Sequence, residues 1–185
     1  MAITSIISNN CQGFMIYSQL KWEYESPTIS TQIVPEEYPK FCKDLRKYLS
    51  AELVECKELS PKHETYARHL YGEVPEWPMG LVDDVLVVFR HEPTFEVAAE
   101  KWNRRKTRVD YENIGYIFQA YNESYIGAVK EFVSLRLSHS ICLTEGFDYP
   151  GAYRFDIPDG CDGFSWVNGK RVIEDNFSVA EWLEL

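Results

Sequence analysis

No run of about 18 consecutive apolar residues occurs in this chain, so no transmembrane helix is expected. The opening Met1-Ala2-Ile3-Thr4-Ser5-Ile6-Ile7 lacks the basic n-region and small-residue cleavage site of a secretory signal, which points to the cytoplasm. Cysteine is sparse and unpaired in pattern: Cys11, Cys42, Cys56, Cys142 and Cys161 are an odd number with no Cys-x-x-Cys spacing. A disulfide framework and a thiolate zinc site lose their warrant, and no metal is expected. Positive charge is also short. With 19 Lys and Arg against 29 Asp and Glu, the net charge of −10 gives no general basic face for nucleic acid. There is no P-loop, no Gly-x-Gly-x-x-Gly, no Gly-x-Ser-x-Gly and no His-Glu-x-x-His, so the usual signatures of kinases, nicotinamide dehydrogenases, elbow-type esterases and zincins are missing. Repeats, low-complexity stretches and Gly/Ser linkers are missing too. The expectation is one domain over residues 1–185.

What remains is apolar and aromatic: 45% hydrophobic and 15% aromatic residues suffice for a packed core. The pattern predicts a strand at Ile3–Ser8, a helix from about Phe14 to Leu20, and, after the turn at Ser26-Pro27, an extended Thr28–Val34. Pro35 opens a helix through Leu49, with Tyr38, Phe41, Leu45, Tyr48 and Leu49 at helical spacing. Leu53–Cys56 reads as a strand, and Ser60-Pro61 as the cap of a helix toward Leu70. Tyr71–Gly80, with its prolines and glycines, reads as a loop, and Val85–Phe89 as a continuous apolar strand of the buried type. A helix over Thr94–Val109 capped by Thr94, a strand Ile114–Ala120, a helix Ser124–Leu135 and a strand Ile141–Leu143 follow. Tyr153–Ile157 is extended, Asn168-Gly169 marks a hairpin, and Ser178 with Glu181 forms a capping box. Alternating strands and helices imply an α/β three-layer domain with a largely parallel sheet, and the C-terminal hairpin is an antiparallel addition.

Chemistry concentrates where the first strand breaks into Ser8-Asn9-Asn10-Cys11-Gln12-Gly13. That position is the carboxyl edge of a sheet, where ligands bind in open α/β folds. Cys11 is a candidate nucleophile, which needs a thiol pKa lowered by a helix N-terminus or an imidazole. A small buried hydrophobe is the plainer alternative. His91 follows strand Val85–Phe89 and reaches the same edge if both strands are parallel. Asn9, Asn10 and the backbone N–H groups of Gln12 and Gly13 are candidate oxyanion donors, and Gly13 permits close approach of a substrate. His63 and His69, on or beside a predicted helix, are expected to face solvent, and His139, which precedes strand Ile141–Leu143, to lie at the opposite edge.

Lys101, Arg104, Arg105 and Arg108, at spacings of 3, 4 and 7, share one helix face and could bind a phosphate or carboxylate. The alternative is a solvated face paired with nearby acids. Trp77 in the 73–80 loop is a candidate substrate wall, or else a core anchor. Asp156, Asp159, Asp162 and Gly160 do not match the calcium-loop spacing.

The blocks Ile7-Ser8-Asn9-Asn10-Cys11, Ser26-Pro27-Thr28, Pro78-Met79-Gly80-Leu81-Val82-Asp83-Asp84, Phe89-Arg90-His91, Lys101-Trp102-Asn103-Arg104-Arg105 with Arg108, Asp148-Tyr149-Pro150, and Phe177 with Glu181-Trp182-Leu183 occur in order. Together they resemble a bacterial family of unknown function, numbered nineteen-nineteen and often labelled exopolysaccharide or capsular polysaccharide biosynthesis proteins. Gln12 stands where that family has tryptophan, and Arg90-His91-Glu92 where His-Tyr is common. Asn10-Cys11-Gln12 is also similar to the Gly-Asn-Cys-Gln opening of a capsule acetyltransferase family of SGNH-like architecture. The Asp-x-x-His block of SGNH enzymes is missing.

These resemblances imply a role in surface-polysaccharide assembly. The leading expectation is acyl transfer onto or off a sugar, with Cys11 as nucleophile, His91 as base, and the cationic face holding a phosphate-bearing donor such as coenzyme A or a nucleotide- or lipid-linked sugar. A non-catalytic module binding an anionic glycan or nucleotide sugar in a polysaccharide assembly complex is the second. A glycosyltransferase ranks third for want of an Asp-x-Asp motif.

Overall fold

In the computed structural model, which describes residues 3–174 and 176–184, the chain starts with β1 (Ser5–Ser8) and α1 (Gln12–Leu20). A two-residue strand β2 (Gln32–Ile33) leads into α2 (Tyr38–Lys43) and α3 (Leu45–Ser50). The single helix expected from Pro35 to Leu49 is thus split. Asp44 leaves helical geometry at φ −119° and ends α2 while starting α3.

Next come β3 (Leu53–Glu55), α4 (Pro61–Tyr71), β4 (Met79–Val82), β5 (Val85–Val88) and α5 (Phe95–Lys106). Both helices have the predicted caps: Ser60 Oγ accepts from the N–H of His63 and Thr94 Oγ1 from that of Val97. The chain continues through β6 (Ile114–Ala120), α6 (Ile126–Ser134), β7 (Ser140–Glu145) and β8 (Tyr153–Phe155). It closes with the antiparallel hairpin β9 (Trp166–Val167) and β10 (Lys170–Arg171), then α7 (Val179–Trp182), where Ser178 caps the N–H of Glu181.

β1, β6, β7 and β8 form a parallel sheet in that order. Successive side chains point to opposite faces of a strand. Accordingly Ile6, Ile117, Ile141 and Leu143 pack with Ile16 and Tyr17 of α1, while Ile7, Phe118 and Cys142 pack with Tyr38, Phe41, Val129 and Phe132 of α2 and α6. Both faces are therefore covered by helices. This is the expected three-layer α/β arrangement, with its antiparallel C-terminal hairpin. No helix among the described residues is long and apolar enough to cross a membrane. All five cysteines are free thiols.

A second sheet was not anticipated. Its order is β2-β5-β4-β3, antiparallel throughout. Val85–Phe89 belongs here and not to the parallel sheet, because Asp83 turns the chain back with φ 55° and pairs Val82 with Val85. Part of the expected loop 71–80 is β4. Gly80 looks like a loop residue in sequence, yet a Cβ there would sit 2.6 Å from Leu53 Cδ1 and 2.9 Å from Phe95 Cε2. Glycine lets neighbouring elements approach.

Candidate functional site

The two sheets meet at the end of β1. The N–H of Ile33 in β2 donates to the Asn9 carbonyl at 2.9 Å, and β2 pairs with β5 through Gln32 and Val88. This junction brings the turn after β5 against the turn after β1. Cys11, at the cap position of α1, and His91, just beyond β5, come within 3.6 Å between Sγ and Nε2. The predicted pair is therefore assembled, by antiparallel rather than parallel neighbours. Cys11 is 8% exposed, and His91 lies on the open side.

Burial pushes the Cys11 thiol above its ordinary value, and the positive charge of Arg90 only partly offsets this. The expected lowering is thus reversed: desolvation disfavours the thiolate more than its charged neighbour favours it. A resting thiol of this kind needs a base at hand.

The asparagines are occupied. Asn9 clasps the backbone of Gln119, donating Nδ2 to its carbonyl at 3.0 Å and accepting its N–H on Oδ1 at 2.9 Å. Asn10 Oδ1 accepts the N–H of Gln12, and its Nδ2 donates to Gln119 Oε1 and Tyr121 Oη. The N–H of Gly13 donates to Ser8 Oγ at 3.1 Å, and a Cβ on Gly13 would lie 2.7 Å from that oxygen. These groups hold one another in place, which corrects their expected role as oxyanion donors. The close approach at Gly13 serves Ser8, not a substrate.

The Gln12 side chain is likewise structural. Its Nε2 donates to Gln119 Oε1 and the Gly163 carbonyl, while its Oε1 accepts from Arg171. Tyr121 Oη donates to Gln32 Oε1 at 2.9 Å and so extends the polar bed into the second sheet. A satisfied buried network of this kind rigidifies what rests on it.

Two groups missed in the sequence remain uncommitted beside the thiol. Arg90 Nε and Tyr71 Oη are buried and have no hydrogen-bond partner among the described residues. Both side chains are electrostatically coupled to Cys11. Arg90 lies over the Trp77 ring at 5.0 Å, and Tyr71 meets that ring edge-on at 5.4 Å. Trp77 also lines a groove of about 420 Å³ between the 75–79 and 93–96 segments. Their only sequence signal was proximity to His91 and to the proline-rich loop.

The helix expected through Val109 ends at Lys106, so Arg108 lies beyond α5, and the cationic face that remains is largely spoken for. Lys101 pairs with the buried Glu92 at 2.5 Å. Arg104 reaches Glu100 at 3.5 Å, an exposed pair of little weight. Arg105 donates to the Ile29 carbonyl and lies over the Tyr24 ring, and Arg108 donates to the Tyr24 carbonyl. The arginines thus hold down the segment whose Thr28 Oγ1 accepts the N–H of Ser8 at the end of β1. These contacts give Arg105 and Arg108 a positioning role beside the anion-binding one expected of the cationic face.

His63 does not face solvent as expected but is buried against Glu37 at 3.2 Å, which draws its side chain inward. His69 bridges Glu36 at 2.8 Å and Ser124 Oγ at 2.7 Å. The Ser124 hydroxyl already donates to Asn122 Oδ1, so its proton is committed to that turn.

A family model described as "Domain of unknown function (DUF1919)" matches residues 2–155. A protein of Haemophilus influenzae named "Uncharacterized protein" is 24% identical over 96% of this chain and 82% of its own length. The matched span contains Cys11, Tyr71, Trp77, Arg90 and His91.

Proposed function

The chain belongs to the family described as a domain of unknown function, DUF1919, and on that premise we propose that it is a cytoplasmic surface-polysaccharide biosynthesis protein that transfers an acyl group onto or off a sugar through Cys11. The observation that carries this reading is the 3.6 Å separation of Cys11 Sγ and His91 Nε2 on a rigid polar bed. The family resemblance supplies the polysaccharide context.

Because burial keeps the thiol protonated at rest, His91 acts as general base at the moment of attack. Nε2 takes the thiol proton as Sγ bonds to the carbonyl carbon of a thioester donor such as acetyl-coenzyme A. The donor's thiolate leaves and accepts that proton, and the acyl group stays on Cys11. A sugar hydroxyl then attacks this thioester, giving its proton to His91, and the released Cys11 sulfur takes it back. Arg90 and Tyr71, the uncommitted donors, are the groups we assign to the oxyanion. The groove beside Trp77 is where we place the sugar, since it is open and has an aromatic wall.

Incubation with acetyl-coenzyme A followed by peptide mass spectrometry tests the reading. An acetyl group on the Cys11 peptide is expected, with none in Cys11→Ala and a rate about 10²- to 10⁴-fold lower in His91→Ala. Unmodified Cys11 across a panel of acyl thioesters, or equal labelling in His91→Ala, would overturn it. A Cys11→Ala protein that still binds an anionic glycan at full affinity would favour the non-catalytic module instead.

A further inference from the structure

A guanidinium withdrawn from water is costly unless its charge and its donors are matched. Arg171, at the end of the C-terminal hairpin, is 1% exposed. Its Nη2 donates to Gln12 Oε1, but Nε and Nη1 are buried with no hydrogen-bond partner among the described residues. Among the described residues no carboxylate is paired with it. Glu174 supports its charge from a distance and uses Oε1 to accept the N–H of Val179. Burial pulls the guanidinium down to about 10, which leaves it charged near neutral pH.

Beside Arg171 opens a cavity of about 300 Å³ lined by Pro158, Val167, Asn168, Lys170, Arg171 and Val172. The lining carries two cations and an amide, and no acid. Gln12 is held at its other end by Gln119 and Gly163, so the guanidinium that donates to it is fixed in place at the wall of the cavity before any ligand arrives. Free donors on a fixed planar fork, with a flexible ammonium alongside, suit a tetrahedral dianion. At roughly 30 Å³ per water, the space exceeds a single oxyanion and leaves room for an attached group along Pro158, Val167 and Val172.

We propose that Arg171 and Lys170 form a binding site for a phosphoryl group, carried by a small phosphorylated molecule. The site lies beyond the residues 2–155 that the family model matches, and it stands whether or not Cys11 is a nucleophile. Three phosphoryl sources fit the chemistry: free phosphate, a sugar phosphate and a nucleoside diphosphate.

Calorimetric titration of the full chain with inorganic phosphate, glucose 1-phosphate and uridine diphosphate, at low salt, tests the site and separates those sources. Saturable binding of at least one probe is expected, and the tightest identifies the source. Arg171→Gln should raise its Kd by about tenfold or more, as loss of a charge-assisted bidentate contact does. Lys170→Glu, an exposed substitution that leaves the fold intact, should weaken the same probe severalfold. If Arg171→Gln does not fold, Lys170→Glu and Arg171→Lys carry the test, the latter keeping charge without the fork. Absence of saturable binding of all three probes at millimolar concentration overturns the site. So does an affinity unchanged in every variant that folds.

Discussion

A cysteine at the end of a first strand can be a reagent or a filler, and the difference lies in what surrounds its sulfur. Cys11 has an imidazole 3.6 Å away and a guanidinium charge that opposes the effect of burial. If that charge is what keeps the thiolate within reach, Arg90→Gln should move the pH midpoint of iodoacetamide alkylation at Cys11 upward. The wild-type rate should itself rise only above the ordinary thiol range of about 8.5. Peptide mass spectrometry across a pH series reads both; a midpoint below that range, or one that ignores Arg90, contradicts this account. At this scale the sequence was half legible. Cys11 and His91 were identified from position, yet Asn9, Asn10, Gln12 and Gly13 were assigned to substrate because short polar residues in a loop look available. The N–H groups of Gln12 and Gly13 turn to Asn10 and Ser8 close by, but the side chains of Asn9, Asn10 and Gln12 find Gln119, Tyr121, Gly163 and Arg171 more than 100 residues away, and no local pattern announces them.

Elements were more readable than their neighbours. Hydroxyl caps at Ser60, Thr94 and Ser178 sit where local backbone chemistry requires them. The misplacement of Val85–Phe89 has a simple origin: five consecutive apolar residues, all buried, look alike in parallel and antiparallel sheets. The hairpin that decides the matter is written in Asp83 and in Gly80, whose packing role resembles a loop signal. Gly80→Ala should therefore destabilise by about 1–3 kcal/mol through overpacking against Leu53 and Phe95, with the Val54 carbonyl only 3.2 Å from the new carbon. Urea denaturation measures this, and a neutral substitution would mean that β3 and α5 shift aside freely. Glu37 ties the same region together. Its Oε2 accepts the N–H of Leu86, and its Oε1 takes Lys62, Lys40 and His63.

Across the whole molecule, buried protonated acids outnumber what the surface suggests. Burial raises Tyr17 and Tyr38 far above their ordinary values, lifts Tyr116 and Tyr121 to about 12, raises Cys42 strongly, and lifts Cys142 to about 12. Each group is neutral in the folded chain and loses its proton more easily unfolded. The stability they contribute is fully present below the unfolded values of about 8.5 for Cys and 10 for Tyr, and is lost as pH climbs past them. The urea midpoint should fall from about pH 8.5 upward, and Cys142→Ala should soften the first part of that fall. A midpoint level to pH 10 would show that the buried thiols and phenols titrate freely.

The pairing of β1 with β6 has a consequence for the growing chain. Ser5 finds its register partner at Ile114, and among the described residues β6 is the one strand beside β1, at the edge of its sheet. During synthesis the first strand therefore waits, unpaired, while more than a hundred residues follow at about 5–20 per second. The antiparallel sheet of β2 to β5 is local and complete before then. Contacts of such wide sequence separation slow folding. They also mean that Cys11 is synthesised about 150 residues before Gly163 and Arg171, so the polar bed beside the thiol is completed only when the C-terminal hairpin arrives.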